Sequence, residues 1–196
     1  MPLPLLSRTS VLLAASALLL AFYVFAFPAM SALLDGNTPT GGEFDTVFFY
    51  TPAQALHKAS LFNAAQVRES IMGHWTFDLA YPLAYGLFFA SAWAFGLRLL
   101  GGLPRKEQVT QSASVTRWPS VALPMAAVVF DLCENASVSV LLYSYAAAGP
   151  AGLAARIAAA TASAFTLLKW LAVVPALAGA VLLPAVGLVA LATRKR

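Results

Sequence analysis

Three polar side chains stand together inside an otherwise apolar stretch, residues 128–137. Asp131 and Glu134 are three positions apart and Asp131 and Asn135 are four apart, so on a helix all three project from one face. A charge at the centre of a bilayer costs about 2.5–3.5 kcal/mol on insertion scales, and such groups are retained where they are paired or functional. This face is therefore the centre of the candidate site.

Two carboxylates close together in a low-dielectric medium repel each other, and we expect Asp131 and Glu134 to share one proton. Three kinds of role fit this face. The face could bind a lipophilic ligand or a cation, which is the leading hypothesis. Alternatively, Asp131 or Glu134 could act as proton donor and acceptor in an enzyme that modifies a lipid. In the third hypothesis the face is structural, because polar side chains join helices within membranes.

A second set of candidates comes from two other apolar segments. Asp78 is followed by Tyr81 and Tyr85, which lie on the same helical face and could donate hydrogen bonds into the same cavity. Lys169 is a possible counter-charge, and residue counting at about 1.5 Å per residue places it at roughly the depth of Asp78. The simplest expectation is an ion pair between Asp78 and Lys169.

Secondary candidates are His74, about one turn before Asp78, and Ser137, one turn beyond the central face. A metal site built from His74, Asp78 and Glu134 is chemically conceivable. No H-E-x-x-H or paired-histidine spacing is present, so we expect no metal and no cofactor. The single cysteine, Cys133, is expected to be an ordinary buried residue.

The composition is that of a membrane protein. Of the 196 residues, 60% are hydrophobic and 10% are charged, whereas about a quarter of the residues in soluble domains are charged. The basic residues lie at the ends of apolar runs and form no stripe with interleaved aromatics, which excludes a nucleic-acid partner. We expect one integral membrane domain over residues 1–196, with membrane lipids and a lipophilic small molecule as partners; a homo-oligomer is a further possibility.

The pattern predicts an all-α fold, a four-helix transmembrane bundle. The apolar runs are long enough to cross a hydrocarbon core of about 30 Å, and the predicted spans are residues 11–34, 75–100, 118–145 and 167–192. A cleaved signal peptide is the alternative for the first run. That run is longer than a typical signal core and rich in aromatics, so we expect it to be retained.

The longest polar stretch follows the first span and predicts an amphipathic helix over residues 52–73. Thr51-Pro52 provides an N-cap and a proline at the first helical position. Apolar residues then recur at helical spacing, while polar residues fill the other faces. Such a helix would lie on the membrane surface or cap the bundle.

Basic residues predict the orientation, since cytoplasmic loops carry an excess of Lys and Arg. In a four-span arrangement one side carries eight basic residues and the other four, which accounts for all twelve. The richer side holds both termini and the middle loop, which we therefore expect in the cytoplasm, with the chain in the plasma (inner) membrane. The poorer side holds Lys58, Arg68, Arg156 and Lys169.

The motifs D-x-x-Y-P, at residues 78–82, and D-x-x-E-N, at residues 131–135, resemble those of an uncharacterised group of small four-span integral membrane proteins. That resemblance covers most of the chain and implies the fold, but no activity. In span count, long first loop and acidic residues in the second and third spans, the chain is more loosely similar to the emopamil-binding/sigma-2 receptor type. This similarity implies sterol isomerase chemistry or binding of lipophilic amines.

Overall fold

A computed structural model describes residues 3–29, 39, 44, 47–101 and 119–194. These residues form helices, without strands among them, so the all-α class is confirmed. The α-helices are α1 (Leu3–Leu6), α2 (Thr9–Ala21), α3 (Pro52–Ser60), α4 (Ala64–His74), α5 (Phe77–Leu99), α6 (Pro119–Ala148) and α7 (Leu153–Arg194). Helix α2 continues through a π-helical turn, Phe22–Ala26, and stays helical to Ala29.

Four helical segments in the described part of the chain are long and apolar enough to cross a membrane. They agree with the four predicted spans, although the second and fourth extend further, because α4 leads into α5 and α7 begins well before residue 167. The end of the predicted first span, residues 30–34, lies outside the described residues. The four segments are Thr9–Ala29, Ala64–Leu99, Val121–Ala148 and Leu153–Thr193.

The predicted amphipathic helix over residues 52–73 is wrong in one respect, because the structure has two helices there. Helix α3 ends at Ser60, and Asn63 starts α4 with a capping box in which its side chain accepts from the Gln66 backbone. The Gln66 side chain in turn accepts from the Asn63 backbone. Each helix thus has its own cap, since Thr51 and Gln54 form the same arrangement at the start of α3.

By its internal contacts the chain divides into two compact units, and each is described by itself. Unit 1 comprises residues 1–20, 83–127 and 171–196. Its helices approach closely at glycines: a Cβ on Gly96 would lie 2.6 Å from the backbone of Leu183. The Trp93 indole covers Gly179 and donates to Ala176 O at 2.7 Å. Small residues of this kind bring membrane helices into backbone contact.

Unit 2 comprises residues 21–82 and 128–170 and contains the candidate site. Its apolar core places branched side chains of α6 against alanines of about the first three turns of α7, so the two helices pack closely. Tyr50, which precedes α3, is 2% exposed and belongs to the same core. The central members are Val138, Leu141, Leu142, Ala155, Ala158, Ala159 and Ala162.

Candidate functional site

The centre of unit 2 is a buried ion cluster formed by Asp131 and Glu134 of α6 and Lys169 of α7. Their exposed fractions are 9%, 0% and 5%. The Lys169 ammonium forms an ion pair with Glu134 Oε2, and it lies 3.6 Å from Asp131 Oδ1. One cation is thus shared by two carboxylates, which lowers the repulsion between them and the cost of burying each charge.

Two hydroxyl groups complete the surroundings of Glu134. Thr166, one turn before Lys169 on α7, donates to Glu134 Oε1 at 2.5 Å and also lies 2.9 Å from Ala162 O. Tyr50 donates to the same carboxylate oxygen at 3.5 Å. Glu134 is therefore held by α7 and by the segment that precedes α3. Hydrogen bonds of this kind are needed to keep a buried carboxylate charged.

Asn135 joins α6 to the proline-containing helix α5. Pro82 has no backbone N–H, so the carbonyl of Asp78, four residues earlier, lacks its usual helical donor. Asn135 Nδ2 donates to that carbonyl at 3.1 Å. Asp78 and Pro82 of the D-x-x-Y-P motif thus meet Asn135 of the D-x-x-E-N motif in one contact. The Asn135 side-chain amide supplies to Asp78 O the hydrogen bond that Pro82 cannot donate.

Five aromatic rings form a group around Tyr81. Tyr81 and Tyr23 place their hydroxyl oxygens 2.8 Å apart, and Tyr81 lies within electrostatic range of Asp131. Tyr23 belongs to the π-helical turn, an irregularity that is frequent at functional sites. The rings pack on one another with centroid separations of 5.7–6.2 Å; the aromatic group is Phe22, Tyr23, Phe27, Phe77 and Tyr81.

The secondary candidates lie on α4 and α6. His74 is 6% exposed, and its Nδ1 lies 3.2 Å from Ser139 Oγ. Ser137 turns back along its own helix and donates to Cys133 O at 2.7 Å. Within the described ranges, no group of three or more His, Cys, Asp or Glu side chains is arranged to hold a metal ion.

The chain was compared with family models, with curated proteins and with solved structures. No match was found in any of the three. What the site can do therefore follows from the chemistry of its own side chains.

The structure brings most of the predicted site residues together. Asp131, Glu134 and Lys169 meet directly, and Asn135 donates to the backbone carbonyl of Asp78. Tyr81 lies within electrostatic range of Asp131. Lys169 pairs with the two carboxylates of α6, which the expected ion pair with Asp78 did not include. The Asp78–Lys169 pair stays a prediction. Tyr85 belongs to unit 1, where it is 5% exposed and donates to Ala127 O at 3.2 Å.

Two partners of Glu134 were missed by reasoning from the sequence. Thr166 stands in an Ala-rich, apolar part of α7, where a threonine ordinarily bonds to its own helix. Its position three residues before Lys169, on the same face, is the signal that could have identified it. Tyr50 directly precedes the Thr51-Pro52 cap, but nothing in the neighbouring sequence indicates a carboxylate 84 residues away.

Proposed function

We propose that this integral membrane protein binds the cationic head of a lipophilic ligand at the Asp131 side of the ion cluster. The observation that carries the proposal is the difference in burial between the two carboxylates that meet Lys169, since Asp131 is 9% exposed and Glu134 is 0% exposed. Burying a charged group is costly, so the carboxylate that keeps some exposure is the one that an incoming cation can reach.

The two carboxylates differ in their surroundings, and this difference assigns their roles. Glu134 is fully enclosed and accepts from Thr166 and Tyr50 besides pairing with Lys169. Asp131 is more exposed and makes the longer ion pair, 3.6 Å. Asp131 is therefore the better anchor for a ligand, while Glu134 and Lys169 fix the position of the helices that carry it.

The aromatic group supplies an apolar wall for the remainder of such a ligand. Tyr23 and Phe27 are about half exposed, so the wall opens toward the hydrocarbon in which a lipophilic molecule dissolves. Binding of lipophilic amines is also what the similarity to the emopamil-binding/sigma-2 receptor type implies. That similarity, like the resemblance to the uncharacterised four-span group, remains a prediction.

We place the protein in the plasma (inner) membrane with both termini in the cytoplasm. The eight-to-four distribution of basic residues supports this orientation. In this arrangement α3 and α4 lie on the extracytoplasmic side, and the ion cluster lies in that half of the bilayer. In this arrangement the ligand is dissolved in the membrane lipids, and lipid molecules compete with it for the site.

The test is equilibrium binding of dodecylamine to the purified protein in lipid nanodiscs. Asp131→Asn keeps the side-chain shape but removes the charge, and a charge-assisted hydrogen bond contributes about 1.5–3 kcal/mol. We expect the affinity to fall about 10- to 100-fold. Glu69→Gln, which removes an acidic charge from α4, is the matched control and should bind as the wild type does. Equal affinity of Asp131→Asn and wild type would contradict the proposal.

The second candidate function is structural, and the complete burial of Glu134 favours it. Under this alternative the whole cluster holds α6 and α7 together, and polar contacts between membrane helices contribute about 0.6–2 kcal/mol each. Asp131→Asn would then lower the unfolding temperature, and dodecylamine would bind neither protein. Measuring binding and unfolding on the same preparations separates the two functions.

A further inference from the structure

Asn135 has one hydrogen-bonding atom that the fold leaves unused. Its side chain is 4% exposed, and its Nδ2 donates to Asp78 O at 3.1 Å. Because that partner is a carbonyl, the amide nitrogen must face it, and the oxygen points elsewhere. Asn135 Oδ1 is buried and accepts no hydrogen bond from the residues that the structure describes. A buried acceptor without a donor destabilises the fold unless a ligand or a water supplies the missing hydrogen bond.

The unused acceptor lies beside the proposed ligand anchor. Asp131 and Asn135 are i and i+4 on α6, so their side chains are neighbours on one face, with Cβ atoms about 5–6 Å apart. A single nitrogen placed between them could donate one hydrogen to the carboxylate and another to Asn135 Oδ1. Such bonds from a cationic nitrogen have lengths of about 2.7–2.9 Å.

We propose that the site selects ammonium heads carrying at least two N–H groups, those of primary and secondary lipophilic amines, with Asn135 Oδ1 as the specificity-determining acceptor. This inference rests on the proposed function of the same site. A tertiary ammonium has one N–H and can satisfy only one of the two oxygens. A quaternary ammonium has none and leaves Asn135 Oδ1 buried without a donor.

The aromatic group supports the same selectivity. Quaternary ammonium heads are recognised by open aromatic faces, which attract a cation that cannot form hydrogen bonds. Here the rings face one another: Phe77 and Tyr81 stack with an interplanar angle of 6°, and Tyr23 meets Tyr81 edge-on at 89°. The rings therefore form a packed wall rather than a cage. The oxygen atoms of Asp131 and Asn135 on α6 recognise the ammonium head.

The test compares four ligands with the same dodecyl chain in nanodiscs of neutral lipid. They are dodecylamine, N-methyldodecylamine, N,N-dimethyldodecylamine and dodecyltrimethylammonium, and each affinity is corrected for partition into protein-free nanodiscs. We expect the first two to bind about tenfold more tightly than the third, and the fourth to bind most weakly. Asn135→Leu should remove the advantage of the first two and change binding of the third less than twofold.

Loss of the Asn135 contact to Asp78 could also disturb the fold, so a second background is needed. In Pro82→Ala the new backbone N–H can satisfy Asp78 O within the helix, and the Asn135 amide is no longer required there. Pro82→Ala with Asn135→Leu should show the same loss of selectivity. Ser163→Ala is the control, because this buried hydroxyl donates to its own helix at Ala159 O and should leave the ligand ranking unchanged.

The outcomes distinguish the two proposals. Equal affinities across the four ligands in the wild type would overturn the inference and leave the cation site intact. The inference also fails if Asn135→Leu keeps the wild-type ranking, as it would if a buried water filled the acceptor. Failure of all four ligands to bind the wild type would overturn the proposed function and this inference with it.

Discussion

Lys169 shows how a single residue decides whether the cluster can be buried. Its side chain lies inside the protein, where an isolated ammonium would be strongly disfavoured, and two carboxylates of α6 offset that cost. Removing one partner from such a cluster destabilises the protein more than removing all its charges, because the remaining charges stay buried without compensation. Glu134 and Asp131 would repel each other once the shared cation is gone.

We therefore predict that Lys169→Met destabilises the protein by about 3–5 kcal/mol, the range for breaking a buried ion pair. Thermal unfolding in detergent micelles, followed by circular dichroism, measures the effect. Adding Glu134→Gln to this variant should recover part of the loss, because one buried charge disappears. Arg156→Met is the matched control on the same helix; Arg156 is exposed, and its loss should change stability by about 0.5 kcal/mol or less.

The residues of the cluster differ in how well a sequence reveals them. Asp131, Glu134 and Asn135 stand out because charged and amide side chains are costly in an apolar run. Thr166 does not stand out, since a hydroxyl in a membrane helix can bond to its own backbone, and its partner Glu134 is 32 residues away. Lys169 was predicted to be a counter-charge, but its depth alone did not indicate that it would meet both carboxylates of α6.

At the scale of helices, the contact between α5 and α6 depends on a proline. Pro82 is buried inside α5 and leaves Asp78 O without a helical donor, and Asn135 supplies the replacement. Proline in a membrane helix is tolerated when a neighbouring helix satisfies the freed carbonyl. The energies of the two residues should therefore be coupled rather than additive.

A double-mutant cycle on Pro82→Ala and Asn135→Leu tests this coupling. In the wild-type background Asn135→Leu should cost about 1–2 kcal/mol, because Asp78 O loses its donor. In the Pro82→Ala background the same change should cost clearly less, since the restored N–H serves that carbonyl. Unfolding free energies of the four proteins in one detergent provide the measurement. Equal costs in the two backgrounds would show that the amide supports the fold in some other way.

Helix positions were predictable to the extent that hydrophobicity defines them. The four spans were found because long, predominantly apolar runs of membrane length are rare outside membrane-spanning helices. The break between α3 and α4 was missed, because apolar residues keep a helical spacing across it. Asn63 and Gln66 have the three-residue spacing of a capping box, so the signal was present but weaker than the periodicity.

At the scale of the whole molecule, the proposed orientation in the bilayer rests on the distribution of basic residues. The middle loop, residues 102–118, carries Arg105, Lys106 and Arg117 and lies outside the described residues, so its prediction rests on sequence alone. Helices α3 and α4 carry Lys58 and Arg68 on the opposite side of the second span. The side that holds the middle loop carries the excess of basic residues. The positive-inside preference is therefore satisfied only if the middle loop is in the cytoplasm.

Cysteine labelling of intact cells tests this orientation. In a Cys133→Ala background, which removes the single native thiol, Gln54→Cys at the exposed surface of α3 should react with a membrane-impermeant maleimide. Ser112→Cys in the middle loop should react only after the membrane is permeabilised, because the proposed orientation places this loop in the cytoplasm. Labelling of Ser112→Cys in intact cells would reverse the orientation and place the ion cluster in the cytoplasmic half of the bilayer, where a ligand would arrive from inside the cell.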